Sequence, residues 1–217
     1  MAVQAIIFDI GGVLIQEMDL DLGGEWNAWL GLKPGELTQR FIASGVPQLA
    51  LTGEISRQEA WKRIGASLGF TDEHLREYES KLWAQCFLYA DMAQFLKSLR
   101  PRYKTATLSN DWQGAREENN RRFGLADAIQ VDLMVYSAEE GIAKPDPTIY
   151  QLTCERLGVT PQEAFFLDNS PICVQAAQQL GMYGIHFKSS DQALADLQAF
   201  LIENHVPHDE VKNGNGP

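Results

Sequence analysis

Four widely spaced positions carry side chains suited to phosphoryl chemistry. Asp9 ends the apolar run "AIIFD" (5–9), Ser109 and Asn110 end "TATLSN" (105–110), Lys144 sits in "GIAKPDPTIY" (141–150), and Asp168 ends "AFFLD" (164–168). A carboxylate can attack phosphorus and form an aspartyl-phosphate. The phosphoryl oxygens then need fixed donors and positive charge, which a Ser hydroxyl, loop N–H groups and a Lys ammonium supply. Two carboxylates also suit Mg²⁺, which is commonly held by one or two of them together with water and substrate phosphate. A buried charge at the end of an apolar strand is costly, and the cost is offset if Asp9 grips a cation.

To bring these residues together the chain must place four strand ends side by side. Beyond about residue 88, short apolar runs alternate with helical patterns. Strands are expected at 105–109, 132–137, 164–168 and 183–187, after a first strand ending at Asp9. Helices are expected near 91–100, 112–123, 147–157, 171–180 and 191–203, with Asp146-Pro147 as N-cap and first helical position of the third. Such alternation predicts a Rossmann-like α/β fold, a parallel sheet with helices on both faces. Functional groups in such sheets gather beyond the carboxyl ends of the strands. The bland alternative for Ser109-Asn110 is a cap on the helix expected near Trp112, which is compatible with anion binding at that helix start.

Residues 16–87 break this rhythm, with helical periodicity and no convincing strand. Ser56 and Glu59 have capping-box spacing, and Thr71 precedes the acidic pair Asp72-Glu73. The expected organisation is a core of residues 1–15 and 88–205, a helical cap of residues 16–87, and a flexible tail of residues 206–217.

Composition narrows the partners. The chain has 217 residues, 45% apolar and 22% charged, with a net charge of −11. That acidity argues against a nucleic-acid partner but allows a small anion in a locally positive pocket. Three cysteines (Cys86, Cys154, Cys173) cannot all pair and lack metal-ligand spacing, which favours a reducing cytoplasm. No apolar run approaches the roughly 20 residues of a membrane span, and the first residues lack a signal-peptide pattern.

In order, "FDIGGVL", "TATLSN", "AKPDPTIY" and "FFLDNSP" resemble the four motifs of the haloacid dehalogenase-like hydrolases, with the insertion where subfamily I phosphatases carry a helical cap. The resemblance implies that Asp9 is the nucleophile and a Mg²⁺ ligand, and that Ser109 and Lys144 act in catalysis as phosphate binders. Asn110 is expected to join them in binding phosphate. The resemblance further implies that Asp168 and the Gly11 carbonyl are additional Mg²⁺ ligands. The substrate would be a small phosphorylated metabolite, and the enzyme a monomer or homodimer.

The chain departs from the family pattern at three places. Gly11 stands where family phosphatases have the Asp that protonates the leaving oxygen, Asn169 replaces a frequent second acid in the fourth motif, and Cys173 stands where Asn or Asp is frequent. Acid–base help is worth roughly 10²–10⁴ in rate, and Glu17 is a candidate to supply it. Alternatives are a non-catalytic binding protein on the same fold and a metal-independent 2-haloacid dehalogenase. Trp26, Trp29, Trp61 and Trp83 all fall in the insertion. They would either build its core or, as with Trp26, line a pocket above Asp9. The four histidines show no triad pairing with Ser or Cys.

Overall fold

The computed structural model describes residues 2–204. The expected tail and both His205 and His208 lie outside them. After β1 (Ala5–Phe8) come α1 (Glu25–Trp29), α2 (Glu36–Ala43), α3 (Val46–Leu51), α4 (Arg57–Ser67), α5 (Asp72–Ala84) and α6 (Ala90–Ser98). Strands and helices then alternate: β2 (Lys104–Ser109), α7 (Ala115–Phe123), α8 (Leu125–Ile129), β3 (Leu133–Tyr136), α9 (Ser137–Glu140) and α10 (Pro147–Leu157). The chain continues through β4 (Ala164–Asp168), α11 (Pro171–Gln179), β5 (Tyr183–His186) and α12 (Ser190–Glu203).

The five strands form one parallel sheet in the order β3-β2-β1-β4-β5. Both faces are covered, so β1, β3 and β4 read as apolar runs without polar alternation. Ile6, Phe8, Phe165 and Leu167 pack on one face against Leu96 of α6, Ile129 of α8 and Leu197 of α12. Ala5, Ile7, Leu108 and Phe166 pack on the other against Tyr150 of α10 and Ala177 of α11. Fully burying each such Ile, Leu or Phe contributes roughly 1.5–3 kcal/mol.

Two expectations need correction. The helix expected near 112 begins at Ala115 with Gly114 at its N-cap, so Ser109-Asn110 does not cap it. Residues 110–114 are instead pinned across to α9: the Asp111 N–H donates to Ser137 Oγ (2.9 Å), and that hydroxyl donates back to the Asp111 carbonyl (3.1 Å). The short helices α8 and α9 were not expected, since neither is long enough to show a period.

Helices α1 to α5 all lie in the stretch between β1 and β2. They surround their own apolar cluster of Trp26, Leu37, Trp61, Tyr78 and Leu82. The two strands of chain that lead into and out of this stretch pair across a short neck. Tyr89 N–H donates to the Leu14 carbonyl (2.8 Å), Gln16 N–H donates to the Phe87 carbonyl (2.9 Å), and Ile15 bridges Leu88. Ser56 caps α4 by accepting from the Glu59 N–H, and Thr71 caps α5 in a reciprocal box with His74.

Trp26 is 5% exposed, and its ring meets Phe70 and Tyr78 at centroid distances of 5.1 and 5.2 Å. It lies in the core of the helical cluster rather than in a pocket above Asp9, because a small group of helices needs bulky rings to fill its own centre.

Candidate active site

The sheet order places β1 between β2 and β4, so the residues following these strands share one edge. Asp9 N–H donates to the Leu167 carbonyl (2.8 Å), which sets Asp9 beside Asp168. Lys144 Nζ lies 3.0 Å from Asp9 Oδ1 and 2.6 Å from Asp168 Oδ2. Asp9, Lys144 and Asp168 are 7%, 5% and 0% exposed. Two buried carboxylates therefore converge on one ammonium.

Each member is oriented by further bonds. Asp9 Oδ1 also accepts from the Ile10 N–H (2.7 Å), while Oδ2 accepts no hydrogen bond from any described residue. Asp168 Oδ1 accepts from the Ser170 N–H (2.7 Å). Burial pushes the Asp9 carboxyl up to about 7, against the pull of the Lys144 ammonium and with a further push from Asp168. Burial works against the Lys144 charge, but Asp9 and Asp168 outweigh it and hold that ammonium above its usual range.

The Asn110 side chain clasps the Lys144 backbone. Its Nδ2 donates to the Lys144 carbonyl (2.8 Å) and its Oδ1 accepts from the Lys144 N–H (2.7 Å). Both ends of the amide are thus occupied in holding the Lys144 loop to the end of β2, and the backbone N–H is what Asn110 has left to offer an anion. Ser109 is buried at the end of β2, and its hydroxyl makes no hydrogen bond to any described residue. It is available to a ligand.

The two glycines after Asp9 differ. Gly12 has φ +78°, and a Cβ there would fall 2.2 Å from Asn169 Nδ2, so no larger residue fits. Gly11 lies outside the left-handed region, and a Cβ there would meet nothing within 4 Å. The backbone tolerates a side chain at 11; the chain simply lacks one.

Asn169, immediately after Asp168, reaches over Gly12 and donates from Nδ2 to Glu17 Oε2 (2.8 Å). This contact brings an exposed carboxylate from the neck to the same edge of the sheet. His186 Nε2 donates to the Asn169 carbonyl (3.0 Å), a support that no sequence pattern signalled. Cys173 is a small buried residue in the first turn of α11, and its carbonyl accepts from Tyr150 OH (3.0 Å).

The donors suit a hard divalent cation. Asp9 Oδ1 and Asp168 Oδ2 meet at Lys144 Nζ, which leaves Asp9 Oδ2 and the second lone pairs of these carboxylates to a cation. Neither softer thiol nor imidazole ligands join them, and no group of three or more His, Cys, Asp or Glu gathers among the described residues. Magnesium needs only one or two protein carboxylates, so this pair and the adjacent backbone fit it.

The family model of the haloacid dehalogenase-like hydrolases matches residues 3–181. The chain belongs to this family. It has the family's Rossmann-like α/β fold. It is 31% identical over 207 residues to mouse acyl-CoA dehydrogenase family member 10, covering 91% of this chain and 19% of that protein. A bifunctional epoxide hydrolase 2 from Sus scrofa is 26% identical, covering 91% of this chain and 39% of the relative. The chain thus spans well under half the length of these two proteins. A D-ribitol-5-phosphate phosphatase from Bacteroides thetaiotaomicron is 26% identical over 82% of this chain and 89% of its own. Among solved structures, a HAD family enzyme from the same organism superposes with a TM-score of 0.72 at 22% identity, covering 87% of this chain and 95% of the other. That enzyme was also crystallised with magnesium and inorganic phosphate. No described helix is long and apolar enough to cross a membrane.

Proposed function

We propose that this hydrolase is a Mg²⁺-dependent phosphatase acting on a small phosphorylated metabolite through an aspartyl-phosphate at Asp9. The observation that carries the reading is the convergence of the Asp9 and Asp168 carboxylates on Lys144 Nζ. Similarity to a phosphatase of D-ribitol-5-phosphate supports the substrate class.

Asp9 Oδ2, the oxygen without a hydrogen bond, forms the new bond to phosphorus as the bond to the ester oxygen breaks. Lys144, the Ser109 hydroxyl and the Asn110 N–H bind the phosphoryl oxygens, and Asn110 keeps the Lys144 loop in place. The carboxylates of Asp9 and Asp168 and the Gly11 carbonyl would hold the metal. When bound, Mg²⁺ supplies positive charge that reduces repulsion between the attacking carboxylate and the phosphate.

Glu17 takes the acid–base role that Gly11 cannot fill. It gives its proton to the departing ester oxygen, then removes one from the water that attacks phosphorus, releasing phosphate and restoring Asp9. The Asn169 amide holds it at the site edge. Residues 16–87, hinged at the neck, act as a cap that excludes water during reaction. Three free cysteines accord with a reducing, cytoplasmic setting.

The test is hydrolysis of p-nitrophenyl phosphate with and without Mg²⁺. Turnover should require the metal and fall to background in Asp9→Asn. Activity that survives Asp9→Asn overturns the mechanism, and metal-free chloride release from 2-chloropropionate would replace it with dehalogenation.

A further inference from the structure

A second cluster of charge lies away from Asp9, where α5 of the inserted helices faces α7. Arg76, Glu79, Ser80 and Trp83 recur at i, i+3, i+4 and i+7 on one face of α5. With Arg57 from the start of α4 and Arg122 from α7 they line a cavity of about 490 Å³. Three guanidinium groups face two carboxylates, Glu79 in the lining and Glu118 behind Arg57 and Arg122, which leaves this spot locally positive in a chain whose net charge is −11.

Arg122 is ion-paired to Glu118 through its Nε, whereas Arg57 is held in place by aromatic rings more than by acids. Arg57 lies 5.0 Å from the ring centroids of both Trp83 and Trp112, and Arg122 lies 4.0 Å from that of Trp83. Arg57 reaches Glu79 at 3.4 Å and Glu118 at 4.0 Å, both long beside the 2.7–2.9 Å of a good charge-assisted bond. Its Nε–H is buried and has no partner among the described residues. A buried donor left unmade is costly. Arg76 is exposed and has no ion-pair or hydrogen-bond partner among the described residues.

The cavity of about 790 Å³ near the start of β2 holds no counterpart of the unpartnered Arg57 Nε–H among the described residues. There Arg100 is bonded to Asp132, Arg156 to Glu140, and Lys104 to the Leu157 carbonyl. Those cations are already satisfied.

We infer that the cavity between α5 and α7 is a second anion site, in which Arg57, Arg76 and Arg122 bind a phosphoryl group and the Ser80 hydroxyl assists. Guanidinium forks match phosphate oxygens geometrically. The anion would compete with Glu79 for Arg57, so Glu79 sets the affinity from the unfavourable side. Because Arg76 and Arg122 belong to different parts of the fold, the bound anion ties the inserted helices to the sheet-bearing core. This site stands apart from the phosphatase reading, since none of its lining residues hydrogen-bonds to Asp9, Ser109, Lys144 or Asp168.

The test uses the full chain and inorganic phosphate, followed by NMR of the Trp83 indole N–H, which is assigned with Trp83→Phe. A saturable shift should appear and persist in Ser109→Ala, which weakens the catalytic phosphate site alone. Arg76→Gln should weaken the Trp83 response by about tenfold. Glu79→Gln should tighten it several-fold, an opposite sign that a misfolded variant would not give. Methylphosphonate giving the same saturable shift identifies an organic phosphoryl ligand; a response to phosphate alone identifies the free ion. Absence of a saturable Trp83 shift, or affinities unmoved by both Arg76→Gln and Glu79→Gln, overturns the site. Loss of phosphatase activity in Asp9→Asn tests the other reading separately.

Discussion

The Asn169 amide donates to the Glu17 carboxylate across 2.8 Å, joining a residue next to Asp168 to one in the neck that leads from β1. The same Asn169 side chain occupies the space above Gly12 that any Cβ would need. A residue that looks like a lost acid in the fourth motif is thus a holder for a different acid. Glu17→Gln keeps the hydrogen-bonding shape but removes the proton. Steady-state kinetics on p-nitrophenyl phosphate and on a poorer alkyl leaving group should diverge. Loss of kcat by about 10²-fold or more is expected for the alkyl ester, and less for the nitrophenyl ester, whose leaving group needs little protonation. Equal kcat in the variant and the parent for both esters would remove Glu17 from the mechanism.

Gly11→Asp should be accommodated without strain, because the backbone there is not left-handed and the Cβ position is open. The new carboxylate would stand two residues beyond the nucleophile. Turnover of the alkyl ester should rise by about tenfold or more, and the Glu17→Gln loss should be largely restored in the double variant. A well-folded Gly11→Asp with unchanged kcat would refute the view that acid–base help is what this chain lacks at position 11.

Trp26→Ala should act on stability before it acts on catalysis. The ring is 5% exposed and packs on Trp29, Phe70 and Tyr78, so truncation leaves a large cavity in the helical cluster. The expected cost is about 3–5 kcal/mol, read as a lower denaturation midpoint. A substitution that leaves the midpoint unchanged while raising KM would return Trp26 to the substrate pocket.

Asp111 should make stability depend on pH. Burial pushes its carboxyl up to about 6, against bonds from the Trp112 N–H and the Asn119 amide. A folded-state value above the unfolded 3.8 means the folded form holds the proton more tightly. The resulting stabilisation is complete below the unfolded value and is lost as pH rises through about 6. Asp111→Asn should therefore gain on the parent between pH 4 and 7, by about 1–2 kcal/mol after discounting for partial solvent contact. Thermal melts across that range that run parallel for the two proteins would disprove it.

Local signals in the chain were enough to read the sheet's strands, the Asp146-Pro147 helix start, the Thr71 cap and the four strand-end motifs. Each depends on neighbours a few residues apart, where backbone preference and capping act. Those signals also identified Asp9, Ser109, Lys144 and Asp168 as chemically apt. What they could not determine was which groups meet. The Lys144 contact with both carboxylates, the Asn110 clasp on the Lys144 loop, the Glu17–Asn169 bond and the Arg57 contacts with two indoles join residues 24 to 152 positions apart. Such meetings follow from β1 lying between β2 and β4 and from the fold of the inserted helices, and these are decided by packing of the whole core. Sequence established the kinds of chemistry available to this chain. Tertiary structure decided which side chains were left free to perform it, because only burial and long-range pairing determine which polar groups are already satisfied.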